Sequence, residues 1–557
     1  MGIKGILLPF FFTLILISSC TEKIDNKNYI KADKKDIYKI DYASAPYSDY
    51  SGNSNITISF SESPQTLNPY RASSNSEIFF KNALFSSLFY IDPATGTPEK
   101  NLIKNYSIIQ NGLEYYFTLN NNIKFSNNKL LTAEDIISSL NLLNTVLKDT
   151  YIYNNFYIKN KKLDIEPLSS LEFLIKLDEP NSNILYALSN FPIIPENVAN
   201  DLSGDIEKFI NYWDVKNNLN IIGSGPYQLE KTDENSSFLV KNNNYFKEGK
   251  KGTQLPLTPD LEIKFYSNKN NEIFAFIQNE TDILLLDENN FNNLYDYYNK
   301  RNKENVRFIN TGAKKEKVIL AFNSYSPDSK SYLKDNKIRK YLSLMIKKEF
   351  QEEKNQIKKS GSINIDNSIF ADNNNDGVLE YKNGDTIFLR FLIPEEDEKL
   401  VIAAEKIKKN IESLGFDVYL EIVPFHIYLE KIFYKKEYDI TLFYYTIEPG
   451  IISYLHLLEK NELTFYPFID DGNLTSNQLD NLFDEFFSAS SIKKQNNAIE
   501  KINNLLDEKN QLQTIYNENQ FYLIKNNIFN FKINSSIENS YNLITLENMI
   551  KIETEEK

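Results

Sequence analysis

The chain has 557 residues, 41% hydrophobic and 25% charged, which is enough apolar material for several packed domains. Its net charge of −14 excludes a nucleic-acid partner held by phosphate neutralisation. A single cysteine, Cys20, excludes any disulfide within the chain. The 36 Tyr and 38 Phe, against one Trp, serve partly as core and partly as the wet, adaptable surfaces that tyrosine favours.

Taken in chain order, "MGIKGILLPFFFTLILISSC" places Lys4 near the amine, then an uncharged apolar run of about 13 residues, then small residues before Cys20. As a helix that run spans about 20 Å, short of the roughly 30 Å hydrocarbon core, so residues 1–20 read as a signal peptide. "ISSC" resembles the lipobox of bacterial lipoproteins, which implies that Cys20 is lipidated and that acyl chains tie an exported protein to a membrane. Residues 21–54 are polar and poor in aliphatics, a flexible tether that cannot bury a core.

"NITISF" alternates like a strand and leads into the turn-rich "SESPQTLNPYRASSNSE". "IFFKNALFSSLFYID" carries apolar residues at helical spacing and ends at Pro93 and Gly96. "GLEYYFTLNNNIKFSNNKLLTAEDIISSLNLL" predicts two strands, a turn and a helix. Thr132 is its N-cap, with Glu134 and Asp135 in the first turn. "GSGPYQLEK" is a glycine turn entering a strand, and "ILLLDENN" and "KVILAFNS" are further strands.

Further on, "DTIFLRFLIP" is a strand and "EDEKLVIAAEKIKKNIESLGF" an amphipathic helix. Its buried face is Val401, Ala404, Lys408, Ile411 and Leu414, and Gly415 stops it. "FDVYLEIV" alternates as the next strand. Residues 385–446 are therefore a βαβ unit of an α/β lobe with parallel neighbours. The strand after that unit, "YDITLFYYTIEPG", ends at Glu448. In an open α/β sheet, ligands sit beyond the carboxyl ends of strands, so the acid stands where a ligand would be.

Several segments together resemble the bacterial extracellular solute-binding proteins of family 5, which serve oligopeptide and dipeptide ATP-binding-cassette importers. "PQTLNPY" is similar to the family's "P-x-x-L-D-P" opening. The run from Leu84 to Ile136 follows its most recognisable segment, "GSGPYQL" its "G-T-G-P-Y" turn, and "DNKIRKYLSLMIKKE" its "D-x-x-V-R-x-A-L" helix. "ADNNNDGVLEYKNGD", "LGFDVYLEIV" and "YDITLFYYTIEP" then follow in the family's order, so that the resemblance covers roughly residues 55–540.

The resemblance implies an α/β, two-lobed, periplasmic-binding-protein-like fold (type II, cluster C like) with an extra subdomain in the first lobe. The first lobe would comprise 55–90, 196–312 and 515–545, the extra subdomain 91–195, and the second lobe 313–514. It also implies a monomer that closes on a peptide, hands it to permease and ATPase subunits, uses no cofactor and performs no catalysis. Family members bind the peptide as an added strand and fix its α-ammonium with an acid nine residues after the aspartate of a "Y-D" pair. Here Asp439 is that aspartate and Glu448 that acid, a glutamate where the family usually has aspartate. Tyr444, Tyr445 and Thr446 would line the cleft, and Ser73, Ser74 and Asn75 would face the ligand from the first lobe, mainly through backbone groups. Leu442 stands where some members carry a basic residue for the ligand's carboxylate, which gives no support for a fixed peptide length.

Other motifs carry less. "DNNNDGVLE" begins like a calcium loop at Asp372, Asn374, Asp376 and Gly377, but its twelfth position is Asn383 where a bidentate Glu belongs, so a plain turn is favoured and calcium stays open. "GSGP" lacks the third glycine and following helix of a nucleotide loop. His426 and His456 have no partners in an HExxH or cysteine pattern, which argues against metal, and no GxSxG is present. Three alternatives remain: the same fold binding a nickel chelate, glycan or other small solute; a surface lipoprotein with an adhesion role; and a carboxylate-dependent hydrolase.

Overall fold

A computed structural model describes residues 54–92, 95–148, 150, 152–153, 156, 163–215, 220–249, 252–301, 305–324, 332–352, 370–371, 380–381, 384, 386–395, 397–446, 474–489, 492–531 and 542–552. The signal peptide with Cys20, the tether up to residue 53, nearly all of the calcium-like loop, Glu448 and His456 lie outside the described residues.

In chain order the elements that position the site are these. The first lobe opens with β1 (Ile56–Phe60) and α1 (Asn75–Leu84). The extra subdomain holds β2 (Ile103–Ile109), β3 (Glu114–Leu119), α2 (Ala133–Asn141), β4 (Asp164–Ser169) and β5 (Glu172–Lys176). Then come β6 (Tyr227–Thr232), β7 (Ser236–Lys241), β8 (Asp260–Phe265), α3 (Lys269–Ile277), β9 (Ile283–Leu286) and α4 (Glu288–Lys300). A long strand, β10 (Val306–Phe322), leads to α5 (Asn336–Glu352), β11 (Phe388–Pro394), α6 (Glu398–Ser413), β12 (Asp417–Val423) and β13 (Ile440–Thr446). Helices α7 (Leu474–Phe487) and α8 (Ile492–Lys509) precede a second long strand, β14 (Leu512–Lys525).

One ten-stranded sheet, ordered β6-β7-β8-β1-β9-β14-β10-β13-β11-β12, runs through the molecule, but each half of it faces its own cores. The alternation of side chains along each strand sorts them by face. On β10, Val318, Leu320 and Phe322 pack beneath α5 and α6 with Phe391, Ile407 and Leu442, whereas Ile319 and Ala321 pack with Tyr438, Phe483 and Phe486. Nearer its start, Val306 joins Phe276, Phe291 and Phe521 in a different cluster, and Ile309 joins Ile56, Phe79 and Tyr522. The same strand therefore leaves one core and enters another. β14 does likewise in reverse, with Phe521 to Ile524 in the first lobe and Leu512 and Ile515 in the second.

Between the cores the two long strands change register. Asn310 pairs with Phe521 and Lys314 with Asn519, with a further shift before Glu316. Extra residues on one strand of a pair bend and twist it, so the two long strands shared by both lobes are bulged where they cross. This is hinge construction, and the architecture is two α/β lobes. The subdomain's antiparallel sheet, β2-β3-β5-β4, shares a continuous core with the first lobe through Phe117, Leu140 and Phe173.

The βαβ reading of 385–446 agrees with the structure: β11 pairs parallel with both β12 and β13. Helix α6 buries Ala404 and Ile411 as expected, together with Leu400, Ala403 and Ile407; Val401, Lys408 and Leu414 are half-buried, and Gly415 adopts φ +91° at the stop. Two expectations need correction. The helix read into "IFFKNALFSSLFYID" ends at Leu84, and the chain turns into short strands at Ser86–Ser87 and Phe89–Ile91. The second strand expected before Thr132 is only a bridge between Lys124 and Leu130.

The early end of α1 has a tertiary cause. The glycine turn 223–225 presses on its last residues, with the Gly225 N–H donating to the Leu84 carbonyl at 3.0 Å. A Cβ on Gly225 would lie 2.5 Å from the Ala83 oxygen, and one on Gly223 would lie 1.9 Å from the Leu84 oxygen. Backbone cannot yield as a side chain would, so Gly225→Ala is expected to cost about 3 kcal/mol, the upper end for overpacking. Urea denaturation measures it; an unchanged midpoint would show that the turn lifts off α1 freely.

Candidate functional site

Strand direction decides which ends of the lobes face one another. In the first lobe β1, β8 and β9 are parallel, and Leu286 at the end of β9 pairs with Phe521, which also pairs with Asn310. The carboxyl edge of this half-sheet therefore adjoins the bulged crossing. In the second lobe β11, β12 and β13 are parallel, and Thr446 at the end of β13 pairs with Glu316, again at the crossing. Both carboxyl edges thus lie against the same hinge, one on each side. A crevice outside the carboxyl ends of strands is where α/β sheets hold ligands.

The turns along these edges are built alike. Four of the parallel strands, β1, β8, β9 and β11, are followed by a helix whose first N–H groups need acceptors. Ser74 caps α1; Asn268 accepts from Asn271 N–H at 3.0 Å for α3, Asp287 from Asn290 N–H at 2.8 Å for α4, and Asp397 from Leu400 N–H at 3.0 Å for α6. Across the gap, Lys399 Nζ lies 4.0 Å from the Asp287 carboxylate, so the second-lobe edge directly meets the first. That pair is half-exposed and contributes little by itself.

The loop 61–74 after β1 is the most constrained part of the site, and Glu77 constrains it. Glu77 is 5% exposed. Its Oε1 accepts from the N–H groups of Gln65 (3.1 Å) and Thr66 (3.3 Å), and its Oε2 from the N–H groups of Ser73 (2.9 Å) and Ser74 (3.1 Å) and from Ser73 Oγ (3.2 Å). Burial raises the pKa of such a group, but the four backbone donors outweigh it and hold Glu77 below the usual carboxylate range. Glu62 on the same loop is pushed the other way, by partial burial and by the Glu77 charge, against the pull of the Asn75 N–H and Lys269. Behind the loop, fully buried Glu272 accepts from Ser59 Oγ at 3.0 Å and pairs with Lys269; burial raises its pKa.

The expected site residues fall out as follows. The N–H groups of Ser73 and Ser74 are directed to Glu77 and that of Asn75 to Glu62, while the Ser74 carbonyl accepts from Ile78. Tyr444, Tyr445 and Thr446 form the last three positions of β13, opposite Val318, Lys317 and Glu316, and only their backbone is described. Asp439 is buried at the start of that strand, where its carboxylate accepts from the Arg390 N–H at 2.8 Å, a strand-anchoring role. Leu442 is fully buried in the second-lobe core. Reading the sequence for ligand contacts missed Glu77, although Ser74 followed three residues later by Glu is the capping-box signature. Among the described residues, no group of three or more His, Cys, Asp or Glu side chains is arranged to hold a metal ion. No helix among them is long and apolar enough to cross a membrane.

Residues 97–352 match the family model described as bacterial extracellular solute-binding proteins, family 5 (middle). A probable ABC transporter-binding protein of Deinococcus radiodurans is 24% identical over 236 residues, 39% of this chain and 38% of that protein. The match therefore spans well under half of the relative's length. The oligopeptide-binding protein AppA of Bacillus subtilis, solved with a nonapeptide, superposes with a TM-score of 0.66 at 16% identity, covering 91% of this chain and 100% of that one. NikZ of Campylobacter jejuni, solved with Ni(L-His), gives 0.65 at 17% identity, covering 89% and 99%. At these identities the likeness is one of fold, the two-lobed periplasmic-binding-protein fold.

Proposed function

We propose, from the match of residues 97–352 to the bacterial extracellular solute-binding proteins of family 5 and from the fold, that the protein captures peptides between its lobes and delivers them to an ABC importer. The lobes in this reading are 55–90 with 196–312 and 515–545, and 313–514, with 91–195 as the extra subdomain. A signal peptide ending at lipidated Cys20 and the tether 21–54 would hold them at a membrane. The protein would act as a monomer with permease and ATPase partners, and binding with lobe closure would be its whole mechanism.

The observation that carries the reading is the end of β13 at the hinge, with Glu448 two residues further on. An extended peptide entering there would bond to protein backbone as an added strand, and side-chain pockets would tolerate varied sequences. Glu448 would take the α-ammonium, with Tyr444, Tyr445 and Thr446 beside it and Ser73, Ser74 and Asn75 opposite. Because the N–H groups of those three residues already point at carboxylates, their contribution would come from other atoms.

Peptide-bound and nickel-chelate-bound proteins match the fold about equally well, so the ligand class rests on the acid and not on the architecture. Native mass spectrometry of the chain as purified tests this. A spread of masses above the apo value, collapsing on partial denaturation, is the expected result. An apo mass that no peptide pool shifts would overturn the peptide reading.

A further inference from the structure

Apart from the hinge strands and the Lys399–Asp287 contact, the lobes also meet at a joint made of hydrogen bonds. Ser182 lies in the extra subdomain. Its N–H donates to the Phe487 carbonyl at 3.0 Å, its Oγ donates to the Phe486 carbonyl at 3.0 Å, and Gln495 Nε2 donates to that Oγ at 2.6 Å. Phe486 and Phe487 close α7, where the last carbonyls of a helix lack donors within the helix itself. Gln495, on α8, is 4% exposed. A serine of the subdomain thus helps to cap a helix of the second lobe.

We propose that Ser182 is a clasp, bonded across the lobes when they are together and released when they part, which sets the ligand-free balance between closed and open forms. The ligand arm of this inference rests on the solute-binding reading above; the clasp itself does not.

Each half of the joint is built without the other. Asn181, buried beside Ser182, donates from Nδ2 to the Phe156 carbonyl at 2.6 Å and accepts the Asn183 N–H at 2.9 Å on Oδ1. The Asn181 carbonyl accepts from the Tyr115 phenol hydroxyl at 3.0 Å. These bonds all lie within the subdomain, so the knob keeps its shape when the lobes separate. The receiver is held by the second lobe, where Phe483, Phe486 and Phe487 pack with Leu479, Ala498 and Ile502. Among the described residues no apolar cluster draws side chains from both the subdomain and the second lobe. Opening the joint therefore exposes hydrogen-bonding groups that water can satisfy and no core that water would penalise.

Bonds made only in the closed form shift the equilibrium by their differential free energy, and they raise the affinity of any ligand that needs closure by up to the same factor. Removing the hydroxyl in Ser182→Ala, or its donor in Gln495→Met, is expected to move the ligand-free open-to-closed ratio by about five- to tenfold. Small-angle X-ray scattering of the full ligand-free chain reads this as a larger radius of gyration in both variants. Peptide affinity, taken with a defined peptide pool, should fall by a comparable or smaller factor. Scattering that is the same in wild type and both variants would overturn the clasp, even if melting temperatures drop, because that pattern is a helix cap that moves with both lobes. A shift in scattering with no peptide bound by wild type would keep the clasp and remove the peptide reading.

Discussion

Glu448→Gln is expected to weaken peptide binding by at least about tenfold while leaving the urea midpoint unchanged. Glu448 lies outside the described residues, but its position is bounded by the chain. In sequence it follows Thr446, the strand end that adjoins the hinge, by two positions. In the proposed reading its carboxylate would meet the peptide's ammonium in a cleft from which the bound peptide excludes water. A charge-assisted hydrogen bond in such a place is worth about 1.5–3 kcal/mol net, and removing one partner of a buried pair costs about 2–5 kcal/mol because the other charge stays behind. Glutamine keeps the length and one acceptor but not the charge, so it isolates the electrostatic part.

The ligand can be altered in the same way. N-acetylated peptides lack the ammonium, so they should bind wild type about as weakly as free peptides bind the variant, and the two changes together should cost little more than either alone. Calorimetry on the four combinations measures the coupling. Equal affinity of wild type and variant for free peptides would refute the role assigned to Glu448.

What the sequence discloses about this fold follows how local each cause is. The face of α6, its stop at Gly415 and the start of α2 at Thr132 are set by residues within a few positions, and each agrees with the structure. The end of α1 is set by a turn about 140 residues away, at Gly223 and Gly225, and nothing in "NALFSSLF" announces it. The hinge strands show the same limit. "KVILAFNS" reads as a strand because it is buried on both faces of the second lobe. The preceding "NTGAKKEK" has no apolar alternation to announce a strand, although its backbone pairs through the register shifts with β14. Ser182 was invisible for a similar reason: a serine in "EPNSN" is an ordinary turn residue until a helix end some 300 positions on is brought against it. Glu77 was within reach, because its capping pattern is local: Ser74 followed three residues later by Glu announces an acid that gathers the N–H groups of Ser73 and Ser74.

Glu77→Ala is expected to cost about 3–5 kcal/mol of stability at neutral pH and to loosen the first-lobe edge of the cleft. The carboxylate gathers four backbone donors from two stretches of one loop, 65–66 and 73–74, and it occupies the third position of α1, where the helix dipole also favours negative charge. A buried donor left without an acceptor costs about 1–3 kcal/mol, and partial rehydration of the loop keeps the total below four times that. Glutamine does not rescue it well, since its amide would turn N–H groups toward N–H groups; Glu77→Gln should recover less than half of the loss. The pH dependence has a definite sign. The folded carboxyl lies below its unfolded value of roughly 4.3, so its stabilisation is fully present above that pH and is lost as pH falls through the folded pKa. Wild-type midpoints should therefore drop more steeply than those of Glu77→Gln over that acid range. Urea titrations of both proteins at several pH values provide the measurement. A Glu77→Ala midpoint within about 1 kcal/mol of wild type at pH 7 would mean that the loop finds its acceptors elsewhere.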